Sequence, residues 1–135
     1  MPRLPSRPLA TVLLAIYAVV VLWLVFEPFP HTAVGSVLLG ERVLVAIGMG
    51  GLVPGVAIEF AWNVLMFVPL TFLGSALTRR LTWEQWTGIG LLASSVIEFI
   101  QFFVLPDRSA TVTDLVSNTI GALLGALLAA RLRPR

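Results

Sequence analysis

Long apolar runs closed by arginines set the pattern of this chain. The first extends from Leu9 to Phe26, with Arg3 and Arg7 before it and Glu27, Pro28 and Pro30 after it. At about 18 residues it is near the minimum for crossing hydrocarbon as a helix. Its arginine-led start resembles a signal peptide, yet it is long for such an apolar core and lacks a clear small-x-small cleavage site. It is therefore expected to be a retained helix. A second span is predicted over Glu59 to Leu77, ending at Arg79 and Arg80, and a third over Trp86 to Leu105. Thr82 and Gln85 have the spacing of a capping box at the head of the third. A fourth is predicted over Thr113 to Ala130, followed by Arg131, Arg133 and Arg135.

Residues Val43 to Ile58 are apolar too, but Gly48, Gly50, Gly51, Pro54 and Gly55 make a poor continuous helix. The distribution of arginines decides how to read them. With four crossings, Arg3, Arg7, Arg79, Arg80 and the three C-terminal arginines fall on one side, leaving Arg42 and Arg108 opposite. A fifth crossing would scatter them, so the positive-inside rule favours four spans with both termini cytoplasmic. The 43–58 stretch is then an interfacial or re-entrant segment on the outer side. Trp23 and Trp62 fall near the outer boundary and Trp83 and Trp86 near the inner one, as aromatic belts do.

Composition agrees with this reading. Of 135 residues, 58% are hydrophobic and 12% charged, and a soluble domain carries about twice that charged fraction. The mean hydropathy is +0.96. The expected fold is therefore all-α, one integral membrane bundle of four transmembrane helices over residues 1–135. There is no cysteine, so thiolate metal sites and cysteine nucleophiles are excluded, and the single His31 falls in a predicted loop. No metal or other cofactor is expected. The pI near 10.5 comes from nine arginines and no lysine. They sit at span ends, where they set orientation, so nucleic acid is not an expected partner.

Ionisable groups inside spans cost about 2.5–3.5 kcal/mol each, so their placement is informative. The second span carries Glu59 and Asn63 one turn apart; the third carries Ser94, Glu98 and Gln101 on one face. Glu98 lies about 10 Å below the outer end of its helix, too deep for water without a cavity. Pro106, Asp107 and Arg108 follow in the outer loop, and the fourth span re-enters with Asp114 and Asn118, continued by Gly121 and Gly125. Opposite chain directions bring these polar residues to the outer half of the bundle, as one outward-opening polar pocket. Each has a structural alternative. Asp114 would complement a helix dipole, Asn118 would join helices, and Gly121 and Gly125 would let two helices approach closely. Arg108 would pair with Asp107, Glu59 would be solvated at the boundary, and Glu98 would pair with Arg108, Asn63 or Gln101. Pro69 is expected to kink the second span.

These residues resemble the VanZ-like family of small multi-pass bacterial membrane proteins. The resemblance rests on Asn63 in N-V-L-M-F-V-P-L, on Glu98 and Gln101 in E-F-I-Q, on Arg108, and on D-L-V-S-N-T-I-G-A-L-L-G from Asp114 to Gly125. It covers about residues 57–130. Thr71 stands where the family usually has glycine, and Thr111 and Thr113 where acidic residues are frequent. The family is named for a protein of teicoplanin (glycopeptide) resistance, so the resemblance implies a role in the cell envelope.

The function expected is recognition, or modification, of a lipid-linked phosphate head group at the outer leaflet, on a phospholipid or a polyprenyl phosphate. Arg108 offers a planar, permanently charged fork for phosphate oxygens. Asn63, Gln101, Asn118 and Glu59 complete the binding set, while Glu98 and Asp114 are candidates for general base or nucleophile in head-group or phosphoryl transfer or hydrolysis. A non-enzymatic lipid-binding or envelope-accessory protein would use the same pocket. A small proton-coupled transporter ranks last, because no ionisable residue lies between Leu9 and Phe26 and the polar groups do not cross the bilayer. The small-residue stripe of the fourth span would serve equally within the chain or in a homo-oligomer.

Overall fold

The computed structural model describes residues 5–27, 31–78, 80–105 and 111–132. Five helices follow in order: α1 (Arg7–Val25), α2 (His31–Ala46), α3 (Gly55–Leu77), α4 (Trp83–Val104) and α5 (Val112–Leu132). Four of them, α1, α3, α4 and α5, are long and apolar enough to span a membrane. They match the four spans expected from the apolar runs, with ends displaced by up to four residues.

The stretch between the first two spans differs in detail from the expectation. His31 opens α2 instead of lying in a loop, and residues 43–46 are the last turn of that helix. A turn follows, in which Gly48 and Gly51 adopt φ of +78° and +74°, a conformation open to glycine at little cost. Residues 55–58 already belong to α3. The sequence hid α2 because Gly35 and Gly40 lower its helix propensity. Gly40 has a packing role: a methyl group there would collide with Ile58 of α3. Trp62 Nε1 also donates to the Ser36 carbonyl at 2.8 Å, holding α2 against α3.

α3 is the hub, packed against all the other helices, and its contact with α5 is the most extensive in the protein. The reason is the small-residue stripe of α5. A methyl group at Gly121 would meet the Val64 carbonyl, and one at Gly125 the Val68 carbonyl and the Thr71 hydroxyl. The two backbones therefore touch, as small residues permit in membrane bundles. The α4–α5 seam follows the same rule, with Gly90 facing Ala122.

The distribution of side chains is the reverse of a soluble domain's. Ser94 and Ser117 are 0% exposed and Asn118 3%, whereas Val19 is 67%, Leu92 66% and Val112 78% exposed. Small and polar groups share the interior with a few large apolar ones such as Phe67, and most large apolar side chains face outward where lipid is their natural solvent. α3 runs unbroken through Pro69. Proline offers no N–H, so the Leu65 carbonyl loses its usual intrahelical donor. Nearby, the Tyr17 hydroxyl of α1 donates to the Met66 carbonyl at 3.2 Å.

Candidate functional site

Three of the polar residues singled out in the sequence, Asn63, Glu98 and Asp114, meet at the head of α5. Thr111 is the residue before its first turn. The Asp114 N–H donates to Thr111 Oγ1 at 3.1 Å, and the Leu115 N–H to the Thr111 carbonyl at 3.3 Å, so Thr111 is the N-cap. Its hydroxyl donates in turn to Asp114 Oδ2 at 2.7 Å. The other carboxyl oxygen, Oδ1, accepts from Asn63 Nδ2 of α3 at 2.6 Å. Glu98 of α4 accepts the Thr111 backbone N–H on Oε2 at 3.2 Å. Three helices are thus tied together through one cap, by bonds each worth about 0.5–1.5 kcal/mol net. A carboxylate in the first turn of a helix gains a further ~0.3–1 kcal/mol from the helix dipole.

One turn deeper, Asn118 Nδ2 donates to Ser94 Oγ at 2.9 Å across the α4–α5 seam. Among the described residues the buried Asn118 Oδ1 has no hydrogen-bond partner. Ser117 Oγ donates to the Asp114 carbonyl at 3.0 Å. The arrangement is a short ladder: Glu98 above Ser94 on α4, Asp114 above Asn118 on α5, with a crossbar at each level.

The other candidates lie elsewhere. Gln101 is buried and donates from Nε2 to the Val25 carbonyl at 2.8 Å. Val25 is the last residue of α1, so this bond satisfies one of the carbonyls a helix end leaves open. Glu59 is exposed, one turn into α3. Arg108, with Pro106 and Asp107, lies outside the described residues, as do Arg3, Arg79, Arg133 and Arg135.

Glu98 is half-buried. Asn63 and Gln101, both considered as its partners, bond to Asp114 and Val25, and Glu98 reaches the α5 cap. The residue the sequence reading missed is Thr111, noted there only as a departure from a family pattern. Its signal was present: Thr111-x-x-Asp114 ahead of an apolar run has the same capping spacing as Thr82-x-x-Gln85. Glu98 and Asp114 supply the carboxyl oxygens of the site; among the described residues no group of three potential metal ligands forms.

The family model described as VanZ/LLP1 matches residues 14–133, taking in most of α1 and all of α2 as well as the motif-bearing helices. No curated protein and no solved structure matches the chain.

Proposed function

The chain belongs to the VanZ/LLP1 family, and from that premise we propose that this multi-pass membrane protein recognises a lipid-linked phosphate head group at the α5 head. The observation that carries the reading is the meeting of Glu98, Asp114 and Asn63, from three helices, at one cap. In the sequence the segment leading into that cap contains Arg108. An arginine three residues before Thr111 in the sequence suits an anionic phosphate group, with Arg108 binding the phosphate oxygens and a carboxyl group accepting a proton from a hydroxyl or a water.

The hydrogen bonds distribute the roles. Both Asp114 oxygens are engaged, by Asn63 and by Thr111, which suits a residue that holds geometry better than one that attacks. Glu98, half-buried at the same cap, is assigned the proton transfer. Gln101 and Asn118 serve the reading indirectly, by fixing α1 and α5 against α4. The membrane is a bacterial cell membrane, with both termini cytoplasmic and the α5 head on the outer side. The lipid is a phospholipid or a polyprenyl phosphate. A protein that binds such a lipid without turning it over is the second reading, favoured by how completely Asp114 is engaged.

The test is native mass spectrometry of the gently purified protein, comparing wild type with Arg108→Ala and Glu98→Gln. Wild type is expected to retain lipids with a net anionic phosphate head group, such as phosphatidic acid, over zwitterionic phosphatidylcholine, and folded Arg108→Ala to lose that preference. Equal retention of phosphatidylcholine and phosphatidic acid by wild type would remove the reading. If retention holds, release of inorganic phosphate or a new lipid product by the purified protein separates turnover from binding.

A further inference from the structure

Two helices in this protein start with the same capping spacing and use it differently. At α4 the box is closed. Gln85 N–H donates to Thr82 Oγ1 at 3.4 Å, and the Thr82 N–H donates back to Gln85 Oε1 at 2.9 Å. The amides of the N-cap and of N3 are both consumed within four residues. At α5 the corresponding residues are Thr111 and Asp114. The Asp114 N–H again donates to the threonine hydroxyl. The aspartate side chain, one methylene shorter than glutamate or glutamine, takes the Thr111 hydroxyl proton instead of the Thr111 backbone N–H. That N–H goes to Glu98 Oε2 of α4.

We infer that this N-cap is left open by one methylene so that its backbone amide anchors Glu98, making Thr111 a positioning residue for the carboxyl group of the proposed site. The inference rests on the head-group reading and deepens it by adding a residue that acts through Glu98 without touching the substrate. The geometry gives Thr111 three tasks at once. Its hydroxyl accepts from the Asp114 N–H, donates to the Asp114 carboxyl, and thereby fixes the peptide whose N–H meets Glu98. Valine has the same shape and neither capability; serine has both.

Isotope-edited infrared spectroscopy of the full-length protein in nanodiscs tests this, with the Glu98 carboxyl band assigned by its loss in Glu98→Gln. The band is expected at the wild-type position in Thr111→Ser and displaced in Thr111→Val. Asp114→Glu is the second variant. Its longer side chain reaches the Thr111 N–H, closes the box as at α4, and is expected to displace the Glu98 band with charge unchanged and the helix intact. An unmoved band in folded Thr111→Val, or in Asp114→Glu should the valine variant not fold, overturns the inference. In the same preparations, phosphatidic acid retention measured against phosphatidylcholine is expected to survive Thr111→Ser and to fall in Asp114→Glu. The infrared result needs no lipid. A wild type with no preference for phosphatidic acid over phosphatidylcholine therefore sinks the head-group reading alone, whereas an unmoved band sinks the role of Thr111 alone.

Discussion

The smallest unit with consequences is the Asn63–Asp114 pair. Both partners come from spans, and a polar group left alone in an apolar interior costs about 1–3 kcal/mol. Asn63→Leu strips one donor from Asp114 Oδ1. The variant is expected to lose about 1–3 kcal/mol of stability, read as a lowered Tm in detergent. Asn63→Leu with Asp114→Leu removes both partners and is expected to recover part of that loss; a double variant as damaged as the two singles combined would show that the pair is not a pair. The sequence announced that Asn63, Glu98 and Asp114 belong together but could not say who bonds whom. Face logic fixes which residues share a stripe, whereas partner choice depends on the rotation of each helix against its neighbours. Thr111, outside every apolar run, donates to Glu98, for which Arg108, Asn63 and Gln101 were the alternatives weighed as structural partners.

At the scale of elements, the glycines divide sharply by what surrounds them. Gly121 and Gly125 of α5 lie against the α3 backbone, where nothing flexible is available to move aside. Gly125→Leu is expected to separate α3 from α5 and cost at least about 1–3 kcal/mol, the usual toll of overpacking, seen as early melting or loss of the monodisperse protein on gel filtration. Gly35 of α2 has no atom within 4 Å of where a Cβ would stand. Gly35→Ala is expected to be neutral or to stabilise by up to about 1 kcal/mol through helix propensity, checked in the same melting experiment. The four long helices were legible because nothing but a span accommodates such runs. α2 was not, because its glycines read as breakers and one of them, Gly40, is there to let Ile58 in.

For the molecule as a whole, the burial pattern and the four spans are in hand, while the sidedness is a proposal with a direct test. The chain has no cysteine, so single introduced cysteines report on sidedness without background. Met49→Cys, in the turn between α2 and α3, is expected to react with an impermeant maleimide on intact cells. Ser6→Cys and a cysteine added after Arg135 are expected to react only after lysis. Termini found on opposite faces would remove the four-span topology. The first helix deserves its own reading at this scale. Only Ala10, Val21 and Val25 of α1 are buried, and side-chain hydrogen bonds tie it to its neighbours through the Met66 carbonyl, which accepts from Tyr17, and through its own Val25 carbonyl, which accepts from Gln101. A carbonyl is the same chemical group in every amino acid. Gln101 therefore grips α1 without reading its sequence, whereas the bond to Met66 needs the Tyr17 hydroxyl itself. In informational terms α1 is held by its shape and hardly by its spelling. Apolar exchanges along its outward face are expected to leave it docked, so long as Ala10, Val21, Val25 and the Tyr17 hydroxyl stay.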